Sequence, residues 1–413
     1  MSDWYYPGIG GIENHIECLA GQLVERGNEI HILTCGNKEL QDKIGEHDAL
    51  RRDMGITIHR IKGYTIKKWG AVVDPRISWI VNDVIKKENF DLIHAHSIYS
   101  PTAMVTAYVG KTLRNIPTLA TNHSIWGEWR LGSLLQRTMR EEFTRLDAVI
   151  AVSSAVKKDM ERFCIDKPVF IIPGGVDCNR YYPDAKCREE TRKLLGYEDN
   201  DIIIVTVGRL VPRKRMHELI QIMPHLTNQH NVKLLIVGDG PEKNKLMKLS
   251  KSLKVNEHVR FVGFSQDPRN YLNASDIFAL CSVEEAFGLS ILEAMACELP
   301  VAVKNVNGIS DILDGNNILP HALDADGVKD NIEFLAGNVE IRSRLGQNNR
   351  KHVLTNFAWE GICEKTLGVY DFIDQAAEMD SNKYYNMKLA KIGRIAKRLM
   401  RFHEKNNKLN DRY

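Results

Sequence analysis

Two hydrophobic patterns take turns along the chain. Short apolar runs fall at 29–34, 56–61, 90–96, 117–121, 149–152 and 169–172, and each reads as a buried strand. Between them, apolar residues recur every third or fourth position. Ile16, Leu19, Ala20, Leu23 and Val24 mark a helix that Gly27 ends, and further helices are predicted near 77–87 and 102–113. Ser153-Ser154 reads as a helix cap after the strand 149–152. Residues 183–200 are charged and poor in apolar side chains, and read as an interdomain connection. The alternation then resumes. Strands are predicted at 202–207, 233–237, 259–262, 276–281 and 301–303, and helices at 217–226, 242–253, 289–297 and across 326–373. Strand–helix alternation of this kind predicts parallel, doubly wound sheets, here two of them: an α/β chain.

One element is short of residues. A glycine loop that enters a helix follows a strand in such units, yet almost nothing precedes Gly8-Ile9-Gly10-Gly11. The first strand is missing from the sequence as it stands. We expect the true start to lie upstream, because losing a central strand would leave two sheet edges unpaired.

Composition narrows the class. At 413 residues, 43% apolar and 26% charged, the chain can fill two globular cores. No apolar run approaches the roughly 20 residues that span a bilayer, and Met1-Ser2-Asp3-Trp4 is no signal peptide. Eight cysteines without a Cys-x-x-Cys pair point away from a zinc site or disulfides and toward a reducing cytoplasm. Net charge is +3, but residues 381–413 hold ten Lys/Arg and two Asp/Glu, whereas the other 380 hold 46 and 51. The basic excess is therefore confined to the tail. There, Leu389, Ile392, Ala396, Leu399 and Phe402 share one face of a helical pattern and cations the other. That suits an anionic membrane surface through 383–403, and equally a terminal helix packed on its own protein.

Candidate chemistry gathers where strands end. Glu285 and Glu293 flank the entry to the helix 289–297, with Phe287-Gly288-Leu289 between them. They suit a polyhydroxy ligand at the sheet's ligand edge, or are plain helix-start carboxylates. Arg209 and Lys214 follow the strand 202–207 and suit a diphosphate, although Arg213 and Arg215 make a solvated basic loop the favoured reading of this stretch by itself. Gly10-Gly11 offers backbone N–H groups at a helix start. His96 and His123 each follow a strand and could serve as a base or a sugar contact. Trp126 and Trp129 beside His123 fit a glycan or amphipathic acceptor, or a small satellite core. Asp324-Ala325-Asp326 reads as a helix-capping loop, not a metal site, and no nucleic-acid motif is present.

Taken together, Gly10-Gly11-x-Glu13, His96, His123, Ile172-Pro173-x-Gly175-Val176-Asp177, Gly208-Arg209-Leu210-x-x-x-Lys214, Gly238-Asp239-Gly240-Pro241 and Glu285-x-Phe287-Gly288-x4-Glu293 occur in this order. Over about residues 3–372 the chain resembles the retaining, nucleotide-sugar-dependent glycosyltransferases of family 4. The strings 123–127 and 209–214 look closest to the branch that puts N-acetylglucosamine on phosphatidylinositol, and related bacterial and archaeal enzymes carry similar ones.

The resemblance implies a GT-B fold. An acceptor-side Rossmann-like domain (1–182) would face a nucleotide-sugar-binding one (183–372) whose last helices cross back, and a basic amphipathic tail (373–413) would follow. It implies a UDP- or GDP-sugar donor, a lipid-linked or glycan acceptor, and no cofactor or metal. Arg209 and Lys214 would hold the diphosphate with Gly10 and Gly11. Glu285 would contact the sugar and Glu293 the ribose, while Phe287, Gly288 and Leu289 shape the loop. His123 would sit near the reacting centre, with His96 and Trp126 on the acceptor side. The implied location is cytoplasmic, peripheral to the inner membrane face if the tail binds there. Departures from the family pattern are Arg215 and Glu298 for usual glycines, Asp311 for Glu, and Gly174 for a common Asn. A GT-B phosphorylase or sugar-phosphate synthase, and a non-catalytic subunit of the same fold, are the alternatives.

Overall fold

The computed structural model describes residues 1–377 except 4, 7–9, 36–40, 62–63, 67–70, 74–75, 98–99, 126–144, 162–166, 314–318 and 320–321. Trp126, Trp129 and the basic tail lie outside the described residues. Residues 1–366 form one compact unit and 367–413 a second. Both Rossmann-like domains lie in the first unit. Among the described residues, no helix is long and apolar enough to cross a membrane.

In the first domain, β1 (Ile30–Cys35) pairs in parallel with β2 (Ile56–Ile61). A small antiparallel pair follows, β3 (Tyr64–Ile66) with β4 (Ala71–Val73). Then β5 (Ile93–His96), β6 (Thr118–Asn122), β7 (Ala148–Ala151) and β8 (Val169–Ile171) form a parallel sheet in that order. Residues 1–3 bridge β1 and β5. Ser2 N donates to Leu33 O (3.1 Å), Met1 N to His94 O (2.9 Å), and His96 N to Met1 O (2.8 Å). Met1 and Ser2 thus run between β1 and β5.

In the second domain, β9 (Ile202–Val207), β10 (Val232–Val237), β11 (Val259–Gly263), β12 (Ile277–Leu280) and β13 (Val301–Val303) form one parallel sheet ordered β11-β10-β9-β12-β13. β12 and β13 are buried throughout, as expected for a parallel sheet covered on both faces. The order reverses between β9 and β12, which opens a crevice at their carboxyl ends. The loops after these two strands carry Arg209, Lys214 and Glu285.

Residues 183–200 are not a bare connection. Ala185–Leu195 is a helix, capped by Asp184, whose side chain accepts from Cys187 N, and ended by Gly196 at φ 69°. It docks through arginines rather than an apolar stripe. Arg188 donates to Asp276 (2.6 Å) and Arg192 to the Asp201 carbonyl (2.8 Å). Asp324 caps the helix Ala325–Gly337 by accepting from Gly327 N (2.9 Å), as its sequence reading holds. Past the helix Val339–Asn356 the chain returns to the first domain. Val176 N donates to Phe357 O, and the Trp359 ring lies 5.0 Å from His15.

Candidate active site

A cleft of about 650 Å³ opens between the two domains. Its floor on the second-domain side is built by two loops zipped together. Gly208 N donates to Val237 O (3.0 Å), Leu210 N to Asp239 O (2.9 Å), and Glu242 N to Leu210 O (3.0 Å). A Cβ on Gly238 would lie 1.9 Å from Gly208 O, and one on Gly240 would lie 2.5 Å from Leu210 O. Only glycines let these backbones approach so closely, which gives the Gly-Asp-Gly-Pro string its physical meaning. The zipped loop presents Arg209 to the cleft.

Lys214 ends the short turn Pro212–Lys214 and pairs with Glu285 across the β9/β12 crevice. Both side chains are buried, at 11% and 8% exposure, so the pair is largely shielded from water. Ser282 Oγ also donates to Glu285 (2.7 Å), and Val283 N donates to Arg213 O (3.0 Å), joining the two loops. Phe287, Gly288 and Leu289 line the same cleft. Gly288 begins the helix Leu289–Ala296 at φ 105°, a backbone that disfavours other residues.

The first domain contributes the start of the helix Gly11–Glu25. No side chain caps it, and Gly10, Gly11 and Glu13 line the cleft. Burial raises the Glu13 carboxyl above its ordinary range, opposed by its own backbone N–H and by Arg209. A Cβ on Gly10 would meet Glu13 Oε2 at 2.6 Å, so the glycine leaves room for this carboxylate. The helix start and Arg209 thus both favour negative charge at this point of the cleft.

Histidines form the remaining wall. His123 and His15 line the cleft, but His96 does not. It sits behind, with Nδ1 3.2 Å from His123 Nε2 and its ring stacked on His94. His96 thus packs against His123 from behind the cleft wall. Nothing in the sequence pattern sets His15 apart from the core stripe of its helix. The helix that begins at Gly11 brings it one turn inside, on the buried stripe with Ile16 and Leu19. Burial pushes His15 down to about 4 and holds His94, His96 and His123 well below the ordinary histidine range. His123 is a neutral hydrogen-bonding group at neutral pH, and a weak base.

These shifts predict acid sensitivity. Unfolded, each imidazole titrates near 6.5; folded, it stays neutral to lower pH. The unfolded chain therefore binds more protons below that value, and stability falls as pH drops from about 6.5 through about 4. His15 alone accounts for about 3 kcal/mol across that window. Urea unfolding at a series of pH values should show the loss, and His15→Asn should reduce the slope. An unchanged slope in that variant would contradict the assignment.

Glu293 does not join the main cleft. It lines a small adjoining cavity with Asn14, Asp177, Arg180 and Tyr181, while Leu289 lines both spaces. Burial pushes its carboxyl up to about 7, although the Tyr181 hydroxyl donates to it and Arg180 lies near. The helix turn between Leu289 and Glu293 carries the second carboxylate past the cleft wall. Tyr181, absent from the sequence-based set, and Asp177, named there only within the 172–177 string, enter through this cavity.

The departures from the family pattern find local explanations. Arg215 and Glu298 both hold left-handed backbone (φ 50° and 60°), where glycine is the usual choice. Arg215 is braced by Glu218, which Lys304 also reaches at 2.9 Å. Asp311 accepts from Ser154 N (2.6 Å), tying the second domain to the start of the helix Ser154–Glu161. Ser153 caps that helix by accepting from Val156 N (3.1 Å) and donates to Ala286 O in the Glu285 loop (2.6 Å). A Cβ on Gly174 would meet Leu289 Cδ2 at 2.8 Å.

Two facing Rossmann-like domains, with an anion-suited cleft at the strand ends of both, define a glycosyltransferase of the GT-B class. The family model for Glycosyltransferase Family 4 matches residues 9–180, and that for Glycosyl transferases group 1 matches residues 188–352. The chain belongs to the family 4 glycosyltransferases. It is 26% identical to N-acetyl-alpha-D-glucosaminyl L-malate synthase of Bacillus anthracis, over 88% of this chain and 94% of that one. It is 27% identical to a phosphatidylinositol N-acetylglucosaminyltransferase chain of Homo sapiens, over 96% of this chain and 80% of that one. Among solved structures, Anabaena HepE in complex with UDP superposes with a TM-score of 0.73 at 20% identity, covering 88% of this chain and 96% of that one.

Proposed function

We propose that the chain transfers a sugar, with retention, from a UDP-sugar to a hydroxyl of a lipid-linked or glycan acceptor, with N-acetylglucosamine the first sugar to test. The observation that carries this reading is the buried Lys214–Glu285 pair in one cleft with Arg209 and an uncapped helix start. The Bacillus and human relatives are both named for N-acetylglucosamine chemistry. HepE, which shares the fold, is seen with UDP and with UDP-glucose.

The donor diphosphate lies against Arg209, Lys214 and the Gly10–Gly11 amides. On binding, Lys214 turns from Glu285 to the phosphate, which frees the Glu285 carboxylate to accept hydrogen bonds from the sugar. Glu285, still held by Ser282 and bonded to the sugar's hydroxyls, serves sugar binding rather than nucleophilic attack. Retention then follows a front-side displacement: the acceptor oxygen attacks on the face the diphosphate leaves, and a phosphate oxygen takes its proton. The cations stabilise the charge that develops on the leaving group. His123, neutral and a weak base, orients the acceptor or the sugar. The basic segment 383–403 brings the chain to an anionic membrane that carries the acceptor.

A screen of UDP-, GDP- and ADP-sugars by thermal shift, followed by acceptor-free hydrolysis, tests the reading. A UDP-sugar at about 100 times its Kd should stabilise the fold by about 2.7 kcal/mol. It should also be hydrolysed slowly. Binding without turnover on any acceptor, including lipid acceptors in anionic vesicles with the full chain, would instead mark a non-catalytic subunit.

A further inference from the structure

Away from the cleft, three ligand-bearing side chains from three elements meet on one face of β1–β2. Leu33 is registered with His59, so His31 and Leu33 share a face with His59 and Ile61. The helix Ile77–Lys87 packs there through Ile77, Val81 and Ile85, and the residue that ends this helix is Glu88. One ligand atom from each of His31, His59 and Glu88 lies within 4.8 Å of the other two.

His31 Nδ1 stands 2.9 Å from His59 Nε2. Two nitrogens on a tetrahedral zinc ion, each about 2.0–2.1 Å from the metal, stand about 3.3–3.4 Å apart. A few tenths of an ångström therefore convert the contact into two ligand positions, and rotation of the Glu88 side chain supplies the third. His31 is already oriented from behind. Its Nε2 lies 3.0 Å from Glu29 Oε1, so the distal N–H can donate to a carboxylate and leave the Nδ1 lone pair facing the site. A hydrogen-bonded pair of imidazoles explains the 2.9 Å contact by itself, but not a carboxylate behind one ring and another in front of both.

We propose that His31, His59 and Glu88 form a binding site for a first-row divalent cation, zinc foremost, with Glu29 as the orienting carboxylate and water completing the shell. Such an ion fastens the end of the helix Ile77–Lys87 to the β1–β2 edge. It takes no part in sugar transfer. The other histidine cluster, His15, His96 and His123, belongs to the cleft already described.

The full chain, stripped with EDTA, is titrated with ZnCl2 by calorimetry and with CoCl2 by visible absorption. The expected result is one tight equivalent of zinc, a tetrahedral cobalt spectrum, and a melting temperature raised by zinc and restored by EDTA. Glu29→Gln should weaken zinc roughly 10- to 100-fold. His59→Gln with Glu88→Gln should abolish both signals while its melting temperature in EDTA matches the parent. If that double variant melts early, Glu88→Gln alone, at a half-buried position, replaces it and should lose the cobalt spectrum. No zinc binding in the parent overturns the proposal, as does zinc binding that survives these variants.

Discussion

Replacing Lys214 by Ala should lower turnover by about 100- to 1,000-fold, the loss typical when one preorganised donor to a developing anion is removed. In the proposed reaction the diphosphate gains charge as the glycosidic bond breaks, so a cation beside it acts more strongly in the transition state than in the bound donor. The loss should therefore appear in kcat more than in donor affinity. The structure adds a complication that the sequence alone hid. Lys214 is also the partner of a buried carboxylate, and Glu285 left alone in that environment costs stability as well as activity. The single variant should melt earlier than the parent. Lys214→Met combined with Glu285→Gln removes both charges and should recover the melting temperature without recovering turnover. Turnover near the parent's in Lys214→Ala would sink the assignment of this residue to the leaving group.

The chain's patterns made the second domain the more legible half. Its strands are short and mostly apolar, and β9, β10 and β12 fall within a residue or so of their predicted places. The helix Gln41–Asp53 was not legible, because it is polar nearly throughout and Ile44 is its one fully buried large apolar residue among those described. The helix Ala185–Leu195 escaped for a related reason: its anchors are arginines reaching backbone carbonyls and Asp276, which no hydrophobic period records. In the site, Arg209, Lys214 and Glu285 could be named because each follows a strand in a sheet whose ligand edge is fixed by topology, and Gly10–Gly11 because it opens a helix. His96 and Glu293 do not line the main cleft: one lies behind His123 and the other in the adjoining cavity. Sequence gives the strand or helix that carries a side chain, but whether it points into the cleft or behind its wall depends on how the two domains meet. His15 shows the converse, a core-stripe position that the interdomain packing turns into a cleft wall.

Gly238→Ala should be the most damaging single methyl group that can be added near the site. Gly238 sits at φ 147°, which an L-residue with a side chain rarely adopts, and the new Cβ would fall 1.9 Å from the Gly208 carbonyl oxygen. That neighbour is backbone, so no side chain can rotate out of the way. Either the β10 loop or the β9 loop must move, and both are fixed by hydrogen bonds: Gly238 N to Gly263 O (2.7 Å) and Gly208 N to Val237 O (3.0 Å). Backbone strain of this kind costs about 1–3 kcal/mol, and overpacking adds a similar amount. A loss of about 3–5 kcal/mol is expected in urea unfolding. The same displacement shifts Gly208 and with it Arg209, so the surviving folded enzyme should bind donor more weakly even below its melting temperature. Gly21→Ala is the control. It lies inside the helix Gly11–Glu25 with nothing within 4 Å of a new Cβ, and should gain about 0.5–1 kcal/mol from the better helix former. If Gly238→Ala were as stable as Gly21→Ala, the close backbone approach that orients Arg209 could not be as described, and the zipped-loop account of the site would fall with it.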